Sequence, residues 1–183
     1  MKTKRLSNNK PAPQWQEVLK VIYGNDPNWY PAYEKDAEGI FDPSSNRHHH
    51  HGIAIRWVLY DDAGNLAGRI AAFINNRNTH TTEKHTGGIG FFECIDNQEA
   101  ANMLFNSAKK WLISRELDAM EGPINFGDKD KWWGLLVSGF NEERLYGSAY
   151  NPSYYKALWE GYGWQKFYDG NCYADRKSTR LNS

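Results

Sequence analysis

Residues 87–126 read GGIGFFECIDNQEAANMLFNSAKKWLISRELDAMEGPINF, and this stretch decides the fold. Its opening, 88–95, is an apolar run too short for an independent helix, so it reads as a central strand. Asp96 and Glu99 stand three residues apart and match a capping box with Asp96 as N-cap. Behind them Ala101, Leu104, Phe105, Ala108, Trp111 and Leu112 recur at helical spacing, which predicts an amphipathic helix to about residue 115. A second extended segment follows at 120–125, interrupted by Gly122-Pro123. Proline has no N–H for a ladder, so this strand is expected to leave the sheet. Parting strands predict a ligand cleft lined by backbone groups. Asn125 and Asp128 are expected on its edge, and Trp132, Trp133, Leu135 and Leu136 as an apolar wall.

On the N-terminal side, 52–60 and 66–75 read as paired strands. Asp61-Asp62-Ala63-Gly64-Asn65 joins them, with Gly64 supplying positive φ. Trp15, Val18, Leu19 and Ile22 predict a helix over 15–22, stopped by Gly24-Asn25-Asp26-Pro27. A proline-rich connection follows, which Trp29, Tyr30 and Tyr33 are expected to pin to the body. On the C-terminal side, a helical turn is expected at 132–137. Asn151-Pro152 opens a helix over 153–161, Gly163 ends it, and 164–169 reads as a last strand. Alternating strands and helices predict an α/β fold around a mixed sheet.

Three segments are expected: a disordered 1–13, a domain over 14–174, and a tail over 175–183. The tail, DRKSTRLNS, resembles translated sequencing-adapter read-through. It reads as foreign or disordered, with the natural chain continuing past Ala174 into a second half.

At 183 residues the chain fits one domain. Its 22 basic and 22 acidic residues build no single-sign field, which argues against nucleic acid as a partner. No segment approaches the ~20 apolar residues of a membrane span. Cys94 and Cys172 lie far apart without CxxC spacing, which suggests a reducing, cytoplasmic compartment and no zinc site. Eight Trp, eleven Tyr and eight Phe fit either an aromatic core or an aromatic-lined groove.

The candidate chemistry is sparse. His48, His49, His50 and His51 are consecutive, so their side chains diverge, and they read as a polar loop rather than a metal site. His80 and His85, with Glu83 between them, read as a surface loop. Cys94 reads as a buried strand cysteine. The junction 95–101 fits either phosphate binding at a helix N-terminus or ordinary capping. No GxGxxG or GxxxxGK[ST] motif occurs, which disfavours Rossmann or P-loop nucleotide binding.

Several blocks carry a resemblance. They are NDPNWYPAYEKD, GRIAAFINNRNTH, GFFECIDNQEAANMLFNSAKKWL, EGPINFGDKDKWWGLLVSGF and YNPSYYKALWEGYGW, running from Asn25 to Trp164 within a likeness over roughly residues 21–167. The chain resembles the GNAT superfamily of acyl-CoA N-acyltransferases, most closely uncharacterised bacterial GNAT-like proteins about twice as long. The resemblance implies a GNAT-like, mostly antiparallel mixed sheet flanked by helices, with splayed central strands. It also implies acetyl-CoA or another acyl-CoA as co-substrate. The pyrophosphate would lie on the turn carrying Cys94, Ile95, Asp96, Asn97, Gln98 and Ala100. Pantetheine would lie between 91–94 and 124–126, near Asn125.

Two departures from the family pattern stand out. The turn ECIDNQEA lacks the glycines of (Q/R)xxGx(G/A) and carries Glu93, Asp96 and Glu99. Each carboxylate repels a phosphate charge by about 1 kcal/mol at ~4 Å in bulk water. The family's acidic Tyr in LYEKLGF is matched by Trp159 in LWEGYGW. Tyr155 or Tyr162 could stand in for it, and the catalytic candidates are Glu93 as base and Tyr155 as acid, with a small-molecule acyl donor and an amine acceptor as partners. The rival expectations are a non-catalytic binding domain with this fold and a structural partner for the second half.

Overall fold

The computed structural model describes residues 1–8, 10–77, 84–127, 131–142 and 146–170. Strand β1 (Lys2–Leu6) is followed by helices α1 (Pro13–Tyr23) and α2 (Glu34–Gly39). The hairpin β2 (Gly52–Tyr60) and β3 (Leu66–Asn75) leads into β4 (Thr86–Cys94). Then come α3 (Gln98–Ile113), the short β5 (Ala119–Glu121) and α4 (Tyr155–Tyr162). The strands form one sheet in the order β1-β2-β3-β4-β5, antiparallel except for the parallel β4–β5 pair. This is the mixed, mostly antiparallel, helix-flanked sheet that the sequence predicts.

Alternation along the strands builds two cores. Ile55, Trp57 and Leu59 of β2 and Phe92 and Cys94 of β4 face α3 and α4. Ala54 and Val58, with Ala71 and Phe73 of β3, face Trp15 and Val18 of α1 and Phe41 beyond α2. Both faces being covered explains why LAGRIAAFIN is a nearly continuous apolar run. Its exception is Arg69. A second charge, Arg56, is fully buried and pairs with Glu38 at 2.9 Å, its guanidinium lying over Phe41 at 4.6 Å.

Several expectations need correction. Residues 1–13 are not disordered throughout: β1 pairs with β2 from Lys2↔Tyr60 to Leu6↔Arg56, supplying an edge strand that composition does not reveal. The α3 N-cap is Asn97 rather than Asp96. Its side chain accepts from the Ala100 N–H at 2.9 Å, placing the cap one residue later. Residues 132–137 form no helical turn and 164–169 no strand. The tail 175–183, His80, Glu83, Asp128 and Cys172 lie outside the described residues.

The central expectation concerns the parting of β4 and β5. They pair only from Thr86↔Ala119 to Gly88↔Glu121, with one further bond from the Ile124 N–H to the Ile89 carbonyl. The chain just past β5 comes close to β4 at Gly90, where a Cβ would lie 1.8 Å from the Ile124 carbonyl oxygen. Immediately beyond, β4 bulges: Arg69 pairs with Glu93 and Ala71 with Gly90, so Phe91 and Phe92 together oppose Ile70. Phe91 takes φ +50°, an uncommon conformation for a bulky residue. The bulge bends β4 while the chain after Gly122-Pro123 runs elsewhere, and among the described residues no strand pairs with β4's outer edge from there to Cys94.

Candidate functional site

Glu93 and Tyr155 approach from opposite faces of the sheet. Arg69 and Glu93 lie on the α1 side, where Arg69 donates to the Trp15 carbonyl at 2.8 Å. Tyr155 opens α4 and packs in the other core, against Phe92. The two meet at the outer edge of β4, where no strand pairs among the described residues. The Tyr155 hydroxyl donates to Glu93 Oε2 at 2.8 Å. Tyr23, the last residue of α1, donates to the same oxygen at 2.6 Å. Arg69 faces the other oxygen, Oε1, at 3.6 Å.

This carboxylate is largely buried, its side chain 12% exposed, with three donors around it. Burial pushes the Glu93 carboxyl above its ordinary range, opposed by the Arg69 charge and both tyrosine hydroxyls. Burial also lowers Arg69, opposed chiefly by Glu93. Tyr23 and Tyr155 are raised well above the usual phenol value, by burial first and the Glu93 charge second. Both phenols therefore remain protonated near neutral pH.

The cluster forms the floor of a cavity of about 280 Å³ at the parting of β4 and β5. Its walls come from the α1 end and the connection after it (Tyr23, Trp29), from β4 (Phe91, Phe92), and from loops carrying Trp132, Leu135 and Tyr150. Asn151 holds one wall in place: its side chain accepts from the Leu136 N–H at 2.8 Å and donates to the Leu136 carbonyl at 3.1 Å. A wider depression of about 390 Å³ opens at the other end of the sheet, near Arg5 and His49, away from the carboxylate cluster.

The turn after β4 lies outside the cavity lining. Its backbone N–H groups are largely engaged. That of Cys94 donates to the Tyr155 hydroxyl at 2.8 Å, and that of Ile95 to the Ala67 carbonyl at 3.0 Å. The Asn97 N–H bonds the Ile95 carbonyl, and Ala100 is held by the Asn97 cap. The Cys94 carbonyl accepts from the Tyr154 hydroxyl at 2.8 Å. The Gln98 side chain bridges Asn102 and the Leu158 carbonyl. Asp96 is exposed. This turn shows no open amide cradle for a pyrophosphate at Cys94, Ile95, Asn97 or Ala100.

Cys94 is fully buried, and burial pushes its thiol up to about 12, which makes it a packing residue. Asn125 sits on the departing chain, outside the cavity lining, and its buried Oδ1 has no partner among the described residues. Trp159 lines the cavity and packs edge-on against Phe92 and Phe105. Its buried indole N–H has no partner among the described residues. Among the described residues no group of three or more His, Cys, Asp or Glu could hold a metal ion. Nor is any helix there long and apolar enough to cross a membrane.

Sequence reasoning paired Glu93 with Tyr155 but missed Tyr23 and Arg69. Tyr23 falls one residue past the helix predicted over 15–22, and Arg69 read as a strand residue. The one available signal was a charge inside an otherwise apolar strand, because a buried charge requires a partner.

No protein-family model matches the chain. It is 29% identical over 148 residues to Protein YghO of Escherichia coli strain K12, a match covering 81% of this chain and 37% of that protein. The chain thus spans well under half of its curated relative. A solved structure described as "Putative acetyl transferase from Pyrococcus furiosus" aligns with 94% of this chain and all of that one, at 10% identity and a TM-score of 0.45.

Proposed function

We propose that this chain is an acyltransferase-like domain that moves an acyl group from a thioester to an amine. The donor class is acetyl-CoA, another acyl-CoA or an acyl carrier. One observation carries the reading: where β5 leaves β4, the buried Glu93–Tyr23–Tyr155 cluster opens onto a small, aromatic-walled cavity. Acyl transfer to an amine needs positioning, a base, and groups that stabilise the developing charge.

Glu93 has the direction of pKa shift that a base working near neutrality requires. The amine reaches it through Tyr23. The Tyr23 oxygen takes a proton from the ammonium while its own proton passes to Glu93 Oε2. The freed nitrogen lone pair attacks the thioester carbonyl carbon. The C–S bond then breaks, the leaving thiolate takes the Tyr155 hydroxyl proton, and the Tyr155 oxygen recovers one from the nitrogen. Tyr155, kept protonated, holds Glu93 in register and is the candidate acid.

The test is thiol release from acetyl-CoA across a panel of amines, with calorimetric titration of CoA and acetyl-CoA. We expect amine-dependent thiol release that Glu93→Gln removes while the variant stays folded. No heat with either ligand and no thiol release would refute the reading.

A second reading, a binding domain of the same architecture without acyl chemistry, is favoured by one observation. The Cys94, Ile95 and Ala100 N–H groups are already bonded beside two carboxylates, Asp96 and Glu99. Under it, the double change Asp96→Ser and Glu99→Ser leaves CoA affinity where it was. A gain in affinity would point instead to a thioester site weakened by charge.

A further inference from the structure

We propose that residues 26–36 and 146–151 are the two leaves of a gate over the cavity, fastened by hydrogen bonds from tyrosines on one leaf to aspartates on the other. Both leaves wall the cavity, through 29–32 on the first and 146–151 on the second. Two phenols cross between them. The Tyr150 hydroxyl donates to Asp26, and the Tyr146 hydroxyl donates to Asp36 at 2.6 Å. Neither aspartate lines the cavity, so these bonds fasten its rim. The Tyr33 and Tyr146 rings add a contact across the same seam, at 5.8 Å.

The leaves are anchored differently. The second is tied to the neighbouring loop through backbone and a buried amide. The Gly147 carbonyl accepts from the Trp132 N–H at 2.6 Å, and Asn151 bonds both backbone groups of Leu136. Backbone bonds in the first leaf are local: Asp26 N–H to the Tyr23 carbonyl, Trp29 N–H to the Asp26 carbonyl, Asp36 N–H to the Tyr33 carbonyl. Tyr30 and Tyr33 on it are 69% and 74% exposed. A segment with local bonds and little burial is one that opens on its own, ahead of the core. The first leaf is therefore the moving one. Its movement reaches the carboxylate cluster. Trp29 stacks on the Tyr23 ring at 5.2 Å, and the Tyr150 carbonyl lies 3.4 Å from the Tyr23 hydroxyl that bonds Glu93. Parting the leaves uncovers Tyr23 and admits a ligand to the cavity floor.

The inference concerns access, and it stands whether or not the reaction is acyl transfer. Its test uses the full chain without ligand. Hydrogen exchange by mass spectrometry reads the first leaf in peptides containing Trp29 and Ala37. Leu135→Cys, on the cavity wall in a Cys172→Ser background, reads the entry of iodoacetamide, Cys94 being buried. Tyr146→Phe, at a residue 51% exposed, and Tyr150→Phe each release one fastening from the second leaf. We expect each to speed exchange on the first leaf and labelling of the wall together, by about five- to tenfold, the share of an opening equilibrium that one hydrogen bond holds. Exchange in α3 should not move. Asp36→Asn should act as Tyr146→Phe does, because a neutral amide accepts more weakly than a carboxylate. Faster exchange without faster labelling would be fraying of one leaf and overturns the gate. So would no change in either readout, acceleration shared by α3, or a wall cysteine that already labels in the parent as fast as an exposed one.

Discussion

Tyr155→Phe deletes one oxygen that serves two buried partners. The hydroxyl donates to Glu93 at 2.8 Å and accepts from the Cys94 N–H at 2.8 Å, on a side chain only 1% exposed. A hydrogen bond to a charged group contributes about 1.5–3 kcal/mol, and a buried N–H left without an acceptor costs about 1–3 kcal/mol. Glu93 retains Tyr23 and Arg69, so the sum is discounted, and we expect a loss of about 3 kcal/mol. Against a total stability of ~5–15 kcal/mol the variant still folds. With an m-value of ~2 kcal/mol per molar urea, the midpoint falls by about 1.5 M. The assay is urea unfolding followed by tryptophan fluorescence, with an unchanged m-value as the check on two-state behaviour. Tyr154→Phe is the control. Its hydroxyl donates to the Cys94 carbonyl alone, at the partly buried edge, and should cost about 1 kcal/mol. If Tyr155→Phe costs no more than Tyr154→Phe, the bridge across the open edge of β4 is not the keystone of this site.

Other outcomes follow from the same geometry. Asn97→Ala should destabilise by about 1 kcal/mol through loss of the α3 N-cap, while Asp96→Ala should change little; equal effects in thermal melts would restore the capping box at Asp96. Gly90→Ala forces a Cβ onto the Ile124 carbonyl and should cost at least the ~1–3 kcal/mol of overpacking; an unchanged urea midpoint would mean that β4 and the chain after β5 are not in close approach. In a Cys172→Ser background, Cys94 should resist Ellman's reagent until urea unfolds the chain, because its thiol is buried and held near 12; rapid labelling of the native protein would contradict this. Glu93 is raised in the folded state, so its proton linkage favours folding below the unfolded glutamate value of ~4.3 and fades as pH rises through the elevated folded value. The stability advantage of the parent over Glu93→Gln should therefore narrow across that interval; an advantage that widens with pH would show a carboxyl lowered rather than raised.

Much of the architecture was open to reading from the chain alone. Alternation marked β2 and β3, Gly64 marked the turn between them with φ +88°, and 3.6-residue spacing marked α3. These signals are local, set by backbone sterics and by one face of an element needing burial. Pro123 likewise announced that β5 would end early. The sequence offered Glu93 and Tyr155 as candidates, and the tertiary structure puts the Tyr155 hydroxyl on Glu93 Oε2.

What only the tertiary structure decided depends on partners distant in the chain. The bulge puts its positive φ on Phe91, a bulky residue, rather than on the glycine beside it, so the residue type does not announce it. Residues 1–13 look too polar to order, yet β1 is held by backbone bonds to β2, which any side chains allow. Tyr23 lies 70 residues from Glu93 and Arg69 pairs with it across two strands, contacts that no periodicity encodes. Burial of the carboxylate, and with it the chemistry this site can perform, follows from how both faces of the sheet and the open edge of β4 are covered.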